Sequence, residues 1–388
     1  MKNGQPFEEV IGIIGGGQLG KMLIESCQPW NLNYHILEAS SGAPAVRYAH
    51  RFVEGSLHDS DAIKELAQTC DVLTFEIEHI DVQTLKYLEQ QGKRVIPSSN
   101  LLEIIQDKGV QKRFYRNHNI PTSPFEIVES AQVKEAVDRL DGAKAVVKSC
   151  KGGYDGKGVF ITDKKDFQLN QMPFDGPCVV EQFAAGSKEV SVLVARNASG
   201  DMKTYPLSEM VFDPELNLVD YLFAPGTVRA SFAKQIEQVA IQTIESMKGV
   251  GIFAVEFFVS EELDRIWVNE VAPRPHNSGH HTIEACVCSQ YEQLNRILLN
   301  LPLGDTALRK PAVMMNLIGP EGVTGKYRIE GLAEALRDVD VHFHWYDKEV
   351  TKPGRKMGHI TVLAETVDLA LKKAKQMRDR INIVAYEA

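Results

Sequence analysis

Trp267-Val268-Asn269-Glu270-Val271-Ala272-Pro273-Arg274-Pro275-His276-Asn277-Ser278-Gly279-His280 is the stretch that decides this chain. Residues 266–271 read as an apolar strand, and so do residues 252–259. Each strand carries a carboxylate, Glu270 in the second and Glu256 in the first. An unpaired carboxylate in an apolar strand is expensive. Two of them on adjacent strands are suited to Mg²⁺, which takes one or two acidic ligands and completes its shell with phosphate oxygens and water. Arg274, His276 and Asn277 follow at once in a proline-stiffened loop, setting a fixed cation and neutral donors beside such a metal. A buried ion pair between Arg274 and a carboxylate is the structural alternative.

Further upstream lies Lys148-Ser149-Cys150-Lys151-Gly152-Gly153-Tyr154-Asp155-Gly156-Lys157-Gly158-Val159. A strand delivers Lys148, and a loop with four glycines and two more lysines follows. Such a loop can close over a polyphosphate and offer backbone N–H groups at low steric cost. It lacks the G-K-[ST] ending of a Walker A loop, and its bland alternative is a solvated hairpin tip. Next, Val179-Val180-Glu181-Gln182-Phe183 runs into Ala184-Ala185-Gly186 and then Glu189. A strand end of this kind can present backbone C=O and N–H groups to an adenine edge, and Glu189 can take both ribose hydroxyls. Elsewhere, a glutamate on a strand is simply part of a solvated face.

The first hundred residues have a different grammar. Short apolar runs at 10–14, 34–37, 72–75 and 94–96 alternate with helical stretches near 18–26, 59–68 and 82–91, which predicts a parallel sheet covered by helices on both faces. Gly15-Gly16-Gly17-Gln18-Leu19-Gly20 fits G-x-G-x-x-G after a strand, and Glu38 ends the next strand, as in a dinucleotide-binding unit. A glycine turn opening a helix will hold any phosphate. A dinucleotide site, a monophosphate or substrate edge, and a ligand-free packing turn are therefore all consistent with it. Beyond Pro97-Ser98-Ser99, a helical connector at about 101–118 leads to the double-proline break at 120–124. Antiparallel strands are then expected at 145–148, 158–162, 178–182, 189–195 and 203–207. A long amphipathic helix at 231–247 precedes the two carboxylate-bearing strands, and a helix near 290–299 follows them. The last segment carries strands at 313–318 and 359–362 and a helix at 367–380. The fold class is mixed, α/β followed by α+β.

Across the 388 residues, 43 Lys and Arg face 52 Asp and Glu, a formal charge of −9. That balance lacks the electrostatic footprint of a general nucleic-acid binder. Six scattered cysteines with no C-x-x-C pair read as reduced thiols. No apolar run reaches the ~20 residues of a membrane span, and the N-terminus has no signal-peptide core. These features predict a soluble cytoplasmic protein without nucleic-acid or membrane partners.

The Lys148 strand, the glycine loop, the hinge at Glu181 with Glu189, and the pair Glu256 and Glu270 together resemble the ATP-grasp superfamily. Phe75-Glu76-Ile77-Glu78-His79-Ile80, the Arg274–His280 string and Lys352-Pro353-Gly354-Arg355-Lys356-Met357-Gly358-His359 narrow the resemblance to the 5-(carboxyamino)imidazole ribonucleotide synthases of purine biosynthesis. It covers essentially the whole chain. The resemblance implies an ATP-grasp fold with an N-terminal Rossmann-like domain (1–106), an ATP-grasp domain (107–302, lid subdomain about 120–186) and a small C-terminal domain (303–388). It further implies a homodimer that uses ATP, Mg²⁺ and bicarbonate, without biotin or NAD, to carboxylate 5-aminoimidazole ribonucleotide. Another ATP-grasp ligase acting on a different small amine is the alternative within the superfamily, and a silent scaffold that kept the fold is the alternative outside it. Fungal and plant relatives carry a fused mutase domain, for which no segment is expected before Ala388.

By position, the resemblance places Lys108 and Lys148 on the nucleotide and its phosphates. The lid would be Gly153, Tyr154, Asp155, Gly156, Lys157, Gly158 and Val159, and the adenine hinge Glu181, Gln182, Phe183 and Ala184. Glu189 would clamp the ribose, with Asn269 beside the nucleotide, and Glu256 and Glu270 would hold Mg²⁺. Arg274 and His276 would stand where bicarbonate attacks the γ-phosphate. Glu76, Tyr154, Asp155 and Asn277 would meet the aminoimidazole, Gln18 and Leu19 would border it, and Lys352, Arg355 and Lys356 would hold its phosphate. One position departs from the family pattern, since Phe212 stands where a histidine usually approaches the nucleotide. His280, His281 and His359 read equally well as core or capping residues.

Overall fold

The computed structural model describes residues 7–153, 158–169, 172–213, 216 and 218–386. The apolar runs of the N-terminal region form a five-stranded parallel sheet in the order β3-β2-β1-β4-β5. Its strands are β1 (Val10–Ile14), β2 (Asn33–Glu38), β3 (Arg51–Glu54), β4 (Val72–Phe75) and β5 (Arg94–Val95), interleaved with α1 (Gln18–Ser26), α2 (Ser60–Gln68) and α3 (Val82–Gln90). Strand β4 is buried along its whole length, as a central parallel strand covered on both faces should be. β3 is the strand that periodicity does not reveal, because its short Arg-Phe-Val-Glu sequence at the sheet edge has exposed charges at both ends.

The connector is two helices, α4 (Ser99–Gln106) and α5 (Lys108–Asn117), broken at Asp107, whose carboxylate accepts from Val110 N–H and starts the second helix. A small antiparallel sheet follows, in the order β6-β9-β7-β8. It comprises β6 (Phe125–Glu129), β7 (Lys144–Ser149), β8 (Val159–Asp163) and β9 (Pro177–Gln182), packed on α6 (Val133–Arg139).

The largest layer is a nine-stranded antiparallel sheet. It contains β10 (Lys188–Arg196), β11 (Met202–Thr204), β12 (Ser208–Phe212), β13 (Val219–Ala224), β14 (Gly251–Ser260), β15 (Arg265–Ala272), β16 (Ala312–Ile318), β18 (Val341–Trp345) and β19 (Lys356–Leu363). The run expected as one strand at 203–207 is divided instead, β11 ending at Thr204 and β12 starting at Ser208. Helix α7 (Ala230–Ser246) covers one face, with Phe232, Ile236, Ala240 and Ile244 buried against Val190, Val192, Val255 and Phe257. The short helix α8 (Thr282–Ala285) leads into α9 (Gln290–Leu298), which packs Tyr291, Leu294 and Ile297 into the core shared with α1. The β13–β16 pairing carries this sheet without interruption into the C-terminal strands. There β17 (Tyr327–Glu330), α10 (Leu332–Ala335), α11 (Val367–Arg380) and β20 (Asn382–Ala385) complete the chain.

The glycine turn between β1 and α1 shows how tightly these layers meet. Gly15 has φ +103°, and a Cβ there would fall 2.6 Å from Glu76 Cγ. Gly92 has φ +85° with nothing within 4 Å. Gly15→Ala should therefore cost the left-handed penalty of about 1–2 kcal/mol plus about 1–3 kcal/mol of overpacking, while Gly92→Ala should cost only the first. Urea unfolding of the two variants measures the difference, and equal losses would remove the role assigned to the Glu76 contact.

Candidate active site

Two adjoining cavities open where the small sheet, the large sheet and the N-terminal domain meet. The first, about 300 Å³, is a slot with Val146, Val159, Ile161, Phe183, Phe212 and Phe258 in its walls and Lys148, Glu189 and Asn269 among its polar groups. The second, about 370 Å³, is lined by Gln18, Leu19, Glu76, Arg274, His276 and Lys356, among others. Lys108, Gly153, Phe212, Glu256 and Glu270 line both.

The shared wall is built by strand register. Glu256 on β14 lies opposite Glu270 on β15, and the register shifts immediately afterwards, so that Phe257 faces Val268 and Asn269 is the extra residue. Successive strand residues normally point to opposite faces, and a bulge re-aims one of them. Here Asn269 and Glu270 both reach the first cavity. Burial, then the charge of Glu270, pushes the Glu256 carboxyl up, whereas the Lys108 ammonium pulls Glu270 down. Two carboxylates of which one resists ionisation form a donor set that fits Mg²⁺, since the cation supplies the missing positive charge and leaves positions for phosphate oxygens.

The surrounding lysines are arranged by helix and strand spacing. Lys108 and Lys112, four apart on α5, share a face. Lys108 pairs with Glu270, and Lys112 lies 3.2 Å from Glu181. Lys148 at the end of β7 is 3.3 Å from Glu181 and donates to Asn269 Oδ1 at 2.8 Å. Ser123 Oγ donates to Glu181 at 2.9 Å. Burial alone would raise the Glu181 carboxyl, but Lys112 and Lys148 overcome it and hold the group at about 2. Glu189 has weaker support, and burial pushes it up to about 7. The Glu181 side chain thus braces the lysines from below, and the adjoining Gln182, Phe183 and Ala184 line the slot.

In the second cavity, Arg274 forms an ion pair with Glu78 at 2.9 Å, so the buried-pair alternative holds for a residue that also faces the cavity. Gln290, fully buried on α9, brackets the backbone of His276: its Oε1 accepts from His276 N–H and its Nε2 donates to His276 C=O, both at 2.9 Å. His280 lines this cavity too, with Tyr291 OH 3.1 Å from its Nδ1.

Other expected site residues hold partners within the protein itself. Glu76 lines the second cavity, but its carboxylate accepts from Gly17 N–H and, at 2.6 Å, from Gly20 N–H, capping α1. Glu38 accepts from Gly16 N–H at 2.9 Å. The amides at this helix N-terminus are met by the protein's own carboxylates, and Gln18 and Leu19 line the second cavity. Asn277 lines the second cavity and shares its amide with Asn316 of β16 in a reciprocal pair at 3.0 and 3.1 Å. Lys352 is exposed on the turn before β19 and is not among the residues lining the cavity, and Arg355 Nη1 donates to Val350 C=O at 2.7 Å. Lys356, the first residue of β19, does line it. His359 is stacked between His344 and His280 with Tyr346 OH 2.9 Å from its Nδ1, and His281 makes no side-chain cap on α8. Tyr154, Asp155, Gly156 and Lys157 lie outside the described residues.

The residues that sequence reasoning missed are Glu78, Lys112, Gln290 and Asn316. The Lys108-to-Lys112 spacing and the Glu76-to-Glu78 repeat at a strand end were usable signals. Nothing local marks Gln290 or Asn316, which act across the fold.

Removing the Glu181 charge should expose how much the lysines depend on it. Glu181→Gln should lower stability at neutral pH by about 3–5 kcal/mol, the scale of breaking a buried pair. A carboxyl held at about 2 against an ordinary 4.5 gives stability that is complete above 4.5 and is lost as pH falls toward 2. The gap between wild type and variant in urea unfolding should therefore close across that window. A gap that is flat with pH would contradict the pairing.

Comparison with known proteins bears on all three segments. Residues 9–106 match the ribonucleotide synthetase preATP-grasp domain, residues 113–291 the ATP-grasp domain, and residues 312–373 the phosphoribosylaminoimidazole carboxylase C-terminal domain. The N5-carboxyaminoimidazole ribonucleotide synthase of Bacillus subtilis (strain 168) is 35% identical over 364 residues, 92% of each chain. The crystal structure of N5-carboxyaminoimidazole ribonucleotide synthetase from Thermotoga maritima is 41% identical, with a TM-score of 0.88 over 97% of this chain and 100% of that one. The Aspergillus clavatus enzyme, solved with ADP and 5-aminoimidazole ribonucleotide, is 30% identical, with a TM-score of 0.86 over 97% and 99% of the two chains. Full-length likeness in sequence and in fold places the chain in one family: it belongs to the N5-carboxyaminoimidazole ribonucleotide synthases.

Proposed function

We propose that this chain is an ATP-dependent ligase that carboxylates the exocyclic amine of 5-aminoimidazole ribonucleotide with bicarbonate, releasing ADP and phosphate, in purine biosynthesis. The observation that carries the reading is the wall shared by the two cavities. Lys108, Glu256 and Glu270 line both, so a polyphosphate running out of the slot ends beside Arg274 and His276.

In the slot, the apolar walls take the adenine, the backbone at Phe183 and Ala184 meets its edge, and the Glu189 carboxyl accepts from the ribose hydroxyls. Lys148 and Lys108 turn their ammonium groups to the phosphates, with Asn269 beside them. Mg²⁺ held by Glu256 and Glu270 would neutralise charge on the β- and γ-phosphates. A bicarbonate oxygen attacks the γ-phosphorus, ADP leaves, and carboxyphosphate forms where Arg274, fixed by Glu78, offsets its charge. The amine then takes up the carboxyl carbon, phosphate departs, and the amine loses a proton. Arg274 and His276 act by alignment and electrostatic stabilisation, which dominate such transfers. Glu76 acts by shaping the turn that presents Gln18 and Leu19, and Lys356 leads the groups that meet the ribonucleotide phosphate. The family resemblance supports a homodimer. Six free, buried cysteines fit a reducing cytoplasm.

ADP release with Mg-ATP should require both bicarbonate and 5-aminoimidazole ribonucleotide. Turnover indifferent to the ribonucleotide would discard the substrate while leaving the fold in place. Glu270→Gln should reduce kcat on the order of 10²-fold, the scale of lost electrostatic stabilisation. Phe212→His should restore a polar contact at the junction and lower the KM for ATP by about 2–10-fold, the worth of one hydrogen bond. An unchanged KM would show that Phe212 does not border the nucleotide.

A further inference from the structure

His280 lines the second cavity, and its two ring nitrogens have different surroundings. Nδ1 has two partners on α9, Tyr291 OH at 3.1 Å and Gln290 Nε2 at 3.3 Å. The Gln290 amide fits in only one orientation, because its Oε1 accepts from His276 N–H and its Nε2 donates to His276 C=O. The other hydrogen on Gln290 Nε2 therefore faces His280 Nδ1, which must offer a lone pair. The Tyr291 hydroxyl can donate to the same atom, and both α9 residues are fully buried, so water does not compete. Burial first, then the nearby His276, His344, Lys356 and His281, holds the His280 imidazole well below its ordinary pKa. The ring is thus neutral and keeps a single proton. Its faces are also occupied, since His359 stacks on it at 4.7 Å and Tyr346 meets it edge-on at 6.3 Å. Among the described residues, all hydrogen bonding to this ring is at Nδ1. At 1% exposure, an Nε2–H left without an acceptor is costly, and a ligand in the cavity would supply one.

We propose that His280 is a further ribonucleotide-binding residue, whose Nε2–H, set by Gln290 and Tyr291, donates to an oxygen of the ribose phosphate arm in the second cavity. Lys356 lines the same cavity and brings positive charge to that arm. A neutral N–H beside it adds direction, which a freely rotating ammonium lacks. Gln290 and Tyr291 are positioning residues and touch no substrate. Gln290 serves the loop twice, holding the backbone of His276 and the ring of His280 four residues on. The proposal rests on the reading of the second cavity as the ribonucleotide's site.

The test uses the full chain with ¹⁵N-labelled histidine and Mg-ADP, examined by NMR before and after 5-aminoimidazole ribonucleotide is added. The His280 signals are identified by their loss in His280→Phe, which keeps a ring against His359, or in His280→Gln if that variant does not fold. Wild type should show a bare Nδ1 and a proton on Nε2, and the ribonucleotide should shift the Nε2 signal. His280→Phe should raise the KM for the ribonucleotide by about 5–10-fold, the worth of one hydrogen bond, with the KM for ATP within about twofold. Tyr291→Phe should act in the same direction with a smaller effect, because Gln290 still holds Nδ1. A proton on Nδ1 in wild type, an Nε2 signal that the ribonucleotide leaves in place, or an equal rise in both KM values would overturn the assignment. If neither His280 variant folds, the wild-type proton position and Tyr291→Phe still decide it. A wild type that neither binds the ribonucleotide nor needs it for turnover would instead sink the functional reading, separately from the proton position.

Discussion

Two carboxylates in register on neighbouring strands set the terms for everything around them. Glu256 and Glu270 cannot both hold charge without nearby cations, and the fold brings those cations from distant parts of the chain. Lys108 arrives on α5 and Lys148 on β7, while Glu181 and Lys112 form a second tier beneath them. The outcome is an alternating ladder of charge, buried at Glu181 and Lys112, whose open upper end lines both cavities. Each rung is costly alone and stable only in the presence of the next, so the site is assembled with the fold.

The N-terminal domain reaches the same region by a different route. It has the glycine turn of a phosphate-binding unit, yet Glu76 and Glu38 satisfy the amides at that turn. A strand–turn–helix that elsewhere receives an anion is here filled from within, and its remaining contribution is the wall made by Gln18 and Leu19. On the opposite side the C-terminal strands take hold of the Arg274–His280 loop through the Asn277–Asn316 pair. Three segments, which share one hydrophobic cluster from Ile11 through Tyr291 to Tyr346, therefore converge on a single loop.

The elements with clean periodicity were legible in the sequence: most of the N-terminal strands, α1 and α11, and the strands carrying Glu256 and Glu270. Site chemistry was legible where one residue type has one plausible use, as for Lys148 or the paired glutamates. It was less legible where a residue has a choice of partners. Asn277 lines the second cavity and also pairs with Asn316. Glu76 lines the same cavity and also caps α1. Lys352 and Lys356 lie four apart in one basic run, and only the start of β19 determines which of them lines the cavity. Such outcomes depend on contacts across tens or hundreds of residues, which local pattern does not encode.

The unbroken antiparallel sheet from β15 to β18 has a consequence for motion and for descent. Because β13 and β16 share a hydrogen-bonded ladder, the C-terminal segment cannot swing as a rigid body away from the strands that carry the glutamates. The four-stranded sheet of β6 to β9 shares no strand pairing with this larger sheet. Substitutions on either side of the β13–β16 seam are also bound to one another. A C-terminal segment transplanted from a relative would have to keep the register of Tyr221 with Met315, or it would carry Asn316 out of reach of the loop it steadies.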